Sequence, residues 1–199
     1  MSKENPASPP EQRWGRKPAK GTPAKSYTDE FSHSDSAELE ITMQPIGVVH
    51  SSYRERFAVP RQPSLDNAQE ATIELKTGLN LDQALKDLDG FSHIWVIYWM
   101  HLNQGWNPLV TPPRGPKVKR GLFATRAPHR PNSIGLSAVR LTGIEGRTLH
   151  IKGHDMLDGT PVLDIKPYLP YADAFPEASS GWVEETGVAD MKESINTGS

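Results

Sequence analysis

The segment from Lys119 to Gly135, KRGLFATRAPHRPNSIG, places Lys119, Arg120, Arg126 and Arg130 around a short apolar run and a proline-broken turn. It belongs to a wider acid-free span. From Gly90 to Ile144 there is no Asp or Glu, whereas Arg114, Lys117, Lys119, Arg120, Arg126, Arg130 and Arg140 all fall there. The whole chain carries a formal net charge of −2, so positive charge is segregated rather than abundant. A basic surface without neutralising carboxylates suits a phosphate-bearing partner, with Arg114, Lys117, Lys119, Arg120 and Arg130 as candidate phosphate contacts. A solvated basic face with no partner is the plainer reading.

Four segments place polar groups in proline- or glycine-ordered loops beside apolar runs: Arg61-Gln62-Pro63-Ser64, Met100-His101, Arg126–Asn132 and Asp158–Lys166. Proline lowers the entropy cost of holding a loop in one shape, which helps wherever a small ligand must be held. His101 ends an apolar run, either as a polar contact in a pocket or as a histidine satisfied by backbone. Asp158-Gly159 is a turn former, yet its carboxylate is equally able to accept a proton or hold an amino group. The histidines form no HExxH pair, and His154-Asp155 is too sparse a set for a metal to be expected. No GxSxG elbow accompanies the serines, which argues against Ser/His hydrolysis.

These segments must be positioned by a fold that the pattern largely indicates. The chain has 199 residues and no cysteine, so it is long enough for one core and has neither disulfides nor thiolate metal sites, as suits a reducing cytoplasm. No N-terminal run resembles a signal peptide, and Phe91–Leu102 is too short for a bilayer span of about 20 residues. Residues 1–40 are rich in Pro, Ser, Lys and Glu and read as a tail. Strands are expected at Ile41–Ser52, Ala71–Lys76, Phe91–Leu102, Arg120–Thr125, Ile134–Gly143, Thr148–Gly153 and within Asp155–Tyr171. Phe91–Leu102 is apolar on both faces, so both faces are expected to be covered, in a barrel, a sandwich or a subunit interface. Asn80 is expected to cap a short helix, Leu81–Leu88, whose buried face carries Leu81, Ala84, Leu85 and Leu88. Six or more strands, few helices and no GxGxxG indicate a mainly β antiparallel barrel over residues 41–175, followed by a partly ordered tail over 176–199.

The segments IGVVHSSYRERFAVPRQPS, LDGFSHIWVIYWMH, KRGLFATRAPHRPNSIGLSAVRL and DMLDGTPVLDIKPYLPYAD, in this order, closely resemble the TsaA/TrmO family of tRNA methyltransferases over roughly residues 45–173. The resemblance implies a non-Rossmann β-barrel that uses S-adenosyl-L-methionine as methyl donor. It implies a homodimer with donor sites near the subunit interface, acting on tRNA rather than DNA. It implies methylation of N6 of threonylcarbamoyladenosine, the modified purine 3′ of the anticodon, in threonine tRNA. Carried over residue by residue, Gln62, Pro63, Ser64, Met100, His101, Arg126, Leu136, Asp158, Gly159, Thr160 and Pro161 would form the donor site. This chain has Ser52 and Ser133 where the family often has proline, and its loop before FATR is short.

Methyl transfer from a sulfonium is an in-line displacement, so alignment and electrostatics should supply most of the catalysis. The accepting nitrogen must also lose a proton, with His101 or Asp158 as the candidate acceptor. Two other readings compete. One is a non-catalytic RNA-binding barrel, which would not need the PRQP and LDGTP loops. The other is a metal-dependent hydrolase built on His154, Asp155 and Asp158.

Overall fold

Period-two alternation of apolar and polar residues decides where the strands lie. The computed structural model describes residues 41–55, 59–60, 69–113 and 115–186. Its strands are β1 (Gly47–Ser51), β2 (Glu70–Leu75), β3 (His93–Trp99), β4 (Leu109–Val110), β5 (Arg120–Gly121), β6 (Ile134–Glu145), β7 (Thr148–Lys152) and β8 (Pro161–Pro167). Six of them close into an antiparallel barrel in the order β1-β2-β7-β6-β3-β8, and β4 pairs with β5 as a separate ribbon. This is the mainly β, closed, non-Rossmann architecture expected from the pattern. Val49, Ile73, Ile94, Val139, Leu149 and Ile151 point inward and are fully buried. A barrel of this size is filled by its own side chains, each burial contributing about 1.5–3 kcal/mol.

Several expectations are corrected. Regular pairing of the first strand starts at Gly47, after Pro45, rather than at Ile41. Asn80 adopts a left-handed backbone (φ 52°) and makes no side-chain cap, because a capping residue needs extended backbone. The helix, α1 (Leu81–Ala84), is shorter than expected, and Asp87, also left-handed (φ 65°), separates it from a 3-10 turn at Leu88–Gly90. Leu85 is buried and Leu81 and Leu88 pack on the core, but Ala84 is exposed. Arg120–Thr125 is a strand only at its first two residues. It then tightens into a 3-10 turn, Leu122–Ala124, closed by the Thr125 hydroxyl donating to the Leu122 carbonyl at 2.8 Å. β3 begins after Phe91 and buries one face fully through Ile94, Val96 and Tyr98. Its outer face is covered only in part. There Tyr168 lies 5.5 Å from Trp95, and Asp173 of α2 (Pro170–Asp173) accepts the Trp95 indole N–H at 3.0 Å.

Strand polarity fixes what meets at each end. In an all-antiparallel barrel the ends of β1, β3 and β7 lie beside the starts of β2, β6 and β8. The connections β1–β2, β3–β6 and β7–β8 therefore all leave from one end, called here the upper end. The lower end carries α1 and the tight β6–β7 turn, where Gly146 supplies a positive φ of 59°. The three long connections hold almost every residue with candidate chemistry.

Candidate functional site at the upper end of the barrel

The LDGTP turn is pinned to β1 from several sides. Gly159 N–H donates to the Val49 carbonyl (2.9 Å), Val49 N–H to the Thr160 carbonyl (2.9 Å) and Asp158 N–H to the Tyr53 carbonyl (2.8 Å). In return, the Asp158 carboxylate accepts the Ser51 N–H at 3.1 Å, and the Ser51 hydroxyl donates to the Met156 carbonyl at 3.1 Å. Thr160 is buried, and Pro161 starts β8. Gly159 has φ 78°, and a Cβ there would meet open space, so the backbone of the turn is accessible to a closely approaching ligand.

Met100 and His101 follow β3 directly. Met100 N–H donates to the Ser133 carbonyl at 2.8 Å, so this loop start is tied to the segment entering β6. Asn103 Nδ2 donates to the Pro128 carbonyl (3.4 Å), and His129 Nδ1 lies 3.2 Å from the Gln104 carbonyl, which joins the two sides of the loop again. His101 and Arg126 are exposed. Leu136 lies on the outer wall of β6, 56% exposed, opposite Ile97. Strand order thus brings Met100, His101, Arg126 and the Asp158–Pro161 turn to one end, with Leu136 on the flank below. Gln62, Pro63, Ser64 and Arg114 lie outside the described residues.

Beneath these loops sits a polar cluster that the sequence reading missed. The Tyr98 hydroxyl lies 3.3 Å from Ser137 Oγ and donates to Asp155 at 3.4 Å, while Ser137 also donates to Asp155. Tyr98 and Ser137 are buried side chains on β3 and β6, and Asp155 comes from the β7–β8 connection. Burial pushes the Asp155 carboxyl up, opposed by the Ser137 and Tyr98 hydroxyls and the positive charge of Arg126. Burial likewise pushes the Tyr98 phenol up. The signal was present in the register: Gly135 and Ser137, the small inward residues of β6, lie where Tyr98 needs room.

His154, next in the chain, is buried against Tyr53 with ring centroids 5.1 Å apart. Its Nδ1 accepts the Met156 N–H at 3.3 Å, which leaves the ring proton on Nε2, an atom without a partner among the described residues. Burial holds its pKa below the ordinary histidine value. The neutral ring is therefore favoured in the fold, and its stabilisation is complete above the ordinary histidine range. It is lost as the pH falls through that range towards the depressed folded value. His154→Leu should flatten the decline in melting temperature between pH 7 and pH 5, after a pH-independent cost for the lost Met156 bond. Thermal melts across that span check this.

The basic loop is not uniformly free. Arg120 pairs with Glu185 at 3.2 Å and lies 5.2 Å over the Trp182 ring, whose indole N–H donates to the Ala124 carbonyl at 2.8 Å. The 3-10 turn Gly181–Thr186 therefore lays an acidic residue on the acid-free span. Arg130 donates to the Thr125 carbonyl at 3.1 Å and stacks 5.6 Å over Phe123, so it also orders the loop. Lys117 and Lys119 are exposed.

A groove of about 680 Å3 borders Asp158 along β1, β2, β7 and the end of β6. Its lining includes His50, Arg54, Glu70, Glu145 and His150, but not Met100, His101, Arg126 or Leu136. Among the described residues no group of three or more His, Asp or Glu side chains converges as a metal site, and no helix is long and apolar enough to cross a membrane.

Residues 48–174 match the family model described as the tRNA-methyltransferase O N-terminal domain. The tRNA (adenine(37)-N6)-methyltransferase of Escherichia coli strain K12 is 41% identical over 155 residues, covering 74% of this chain and 66% of that protein. A probable S-adenosyl-L-methionine-binding protein of Pyrococcus abyssi is 44% identical over 147 residues, covering 74% of this chain and 78% of its own. The crystal structure of TrmO from Pseudomonas aeruginosa superposes with a TM-score of 0.62 at 44% identity, covering 72% of this chain and 63% of that one. The chain thus spans just under two thirds of the Escherichia coli protein and of the Pseudomonas aeruginosa structure.

Proposed function

The chain belongs to the tRNA-methyltransferase O N-terminal domain family, and from that premise we propose that it methylates N6 of the adenosine next to the anticodon of a tRNA, with S-adenosyl-L-methionine as donor. The observation that carries this reading is the convergence of the β3–β6 and β7–β8 connections at one barrel end, a basic loop beside a carboxylate-bearing turn. The residues present fit the donor. It bears an ammonium and a sulfonium, which a carboxylate such as Asp158 attracts, and a carboxylate, which a guanidinium such as Arg126 holds. Met100 and the exposed Trp99 and Leu136 offer apolar surface for its purine. The open side of Gly159 allows close backbone approach.

When bound, the donor supplies an activated methyl group. The chain's own residues orient the partners and handle the proton that N6 gives up. Asp158, held rigidly by the Ser51 amide, and His101, exposed at the end of β3, are the candidate acceptors. The target is threonylcarbamoyladenosine in threonine tRNA, and the base leaves its stack to reach the loops. The enzyme works in the cytoplasm as a homodimer. The exposed Leu102 and Phe123 of the β3–β6 connection are apolar surface for the second copy to cover.

Calorimetric titration with S-adenosyl-L-methionine tests the donor site. Saturation near one donor per chain, weakened at least tenfold in Arg126→Ala, supports it; equal binding by the variant removes Arg126. For tRNA, Lys117→Ala with Lys119→Ala should weaken binding and lower the slope of log affinity against log salt by about 1–2, because fewer counterions are released. An unchanged slope removes both lysines as phosphate contacts.

A further inference from the structure

We propose that His50 is a positioning residue for the Asp158–Pro161 turn, acting from the outer wall of the barrel as one imidazole held between two carboxylates. The functional meaning of this role rests on the reading of that turn as part of the donor site. His50 lies on the outward face of β1, half-exposed. Its Nε2 is 3.3 Å from a Glu74 carboxylate oxygen on β2, and its Nδ1 is 3.9 Å from the Asp158 oxygen that accepts the Ser51 N–H. Residues 49, 50, 51 and 53 of one short stretch thus all engage the β7–β8 connection. His50 is the one of the four whose ring nitrogen faces the Asp158 carboxylate.

The two charge states of the ring act on the turn with opposite sign. A neutral ring that donates from Nε2 to Glu74 turns the Nδ1 lone pair towards the Asp158 carboxylate, an unfavourable approach. A protonated ring donates towards both carboxylates and draws the turn against β1. The other charged groups around the groove are Arg54, Glu70, Glu145 and His150. Glu145 lies 3.8 Å from His150, and Glu70 lies 4.0 Å from Lys152. Both acids therefore have basic neighbours away from His50, and Glu74 and Asp158 are the carboxylates it faces. The hold on the turn is strongest where His50 is protonated and Asp158 ionised, and it weakens as the ring loses its proton. The pair is partly exposed, so the effect is a few-fold rather than an all-or-none switch.

Amide exchange of the full chain, read residue by residue by NMR as protection factors at pH 5.5 and pH 8, tests this without any ligand. The Ser51 and Gly159 amides report the turn, and the Ile73 amide in β2 reports the barrel. Protection at Ser51 and Gly159 should drop about threefold to tenfold from the lower to the higher pH. The drop should vanish in His50→Gln, with Ile73 unaffected. An identical drop in His50→Gln, or a parallel drop at Ile73, overturns the proposal. Titration with S-adenosyl-L-methionine at the same two pH values links the clamp to the donor. Affinity should fall a few-fold with rising pH in the parent and stay level in His50→Gln. Absence of donor binding at both pH values refutes the donor-site reading instead, while the exchange data still decide the role of His50.

Discussion

Gly135→Ala should destabilise the barrel by about 3 kcal/mol or more, enough to unfold much of the protein. A methyl group at this position would fall within the Tyr98 ring, which crosses directly over the glycine on the neighbouring strand. The ring has no easy retreat. Tyr98 is buried, its hydroxyl is tied to Ser137 and Asp155, and Ile94 and Val96 fill the barrel below it. Either β3 and β6 must separate or the hydroxyl must leave its partners, and a half-buried Asp155 that loses a donor costs up to a further ~1–3 kcal/mol. Gly121→Ala is the matched control, since its Cβ would meet nothing within 4 Å. It should change stability by less than about 0.5 kcal/mol. Urea denaturation of the two variants separates the cases, and equal midpoints would show that Gly135 is not packed as described.

Asp158→Ala should lower the rate of methyl transfer by about 100-fold while leaving the barrel folded. The substitution removes the acceptor of the Ser51 N–H and the carboxylate that faces His50. The backbone bonds from Gly159 to Val49 and from Asp158 to Tyr53 remain, so the turn loosens without detaching. Asp158→Asn divides the effect. Its amide oxygen still accepts from Ser51, so geometry survives and charge does not. A rate in Asp158→Asn near that of the parent would assign Asp158 to holding the turn. A rate near that of Asp158→Ala would assign it to charge, as proton acceptor or as partner of the donor's cationic groups. Parent rates in both variants would remove Asp158 from the site. Single-turnover rates at saturating donor give the comparison.

What could be read from the chain followed from how each residue's environment is set. β2, β6 and β7 were legible because a wall with one buried face imposes alternation, and Gly146 marks the turn between β6 and β7. The LDGTP turn was legible because Asp158-Gly159 requires a particular backbone. The donor residues were proposed from the resemblance to a known family, since periodicity alone offers no such assignment. The Tyr98–Ser137–Asp155 cluster was hidden because it depends on the register between β3 and β6, a long-range property. The cover over the outer face of β3 was hidden for a related reason: Trp95 is covered by Tyr168 and Asp173, residues from beyond β8. The basic loop looked uniformly open because Glu185, which pairs with Arg120, lies far along the chain. Phe123 and Leu122 looked like strand neighbours, yet a 3-10 turn buries Leu122 and leaves Phe123 exposed.

The measurement closest to the central claim is transfer of a labelled methyl group. The full chain would be incubated with methyl-labelled S-adenosyl-L-methionine and threonine tRNA, prepared with and without the threonylcarbamoyl group, and the RNA digested to nucleosides. The proposed function requires label on N6 of the adenosine next to the anticodon, in the threonylcarbamoylated tRNA. Donor binding without any label in either RNA would contradict it and leave an RNA-binding barrel as the better description. Label in the unmodified tRNA alone would keep the methyltransferase and overturn the choice of substrate.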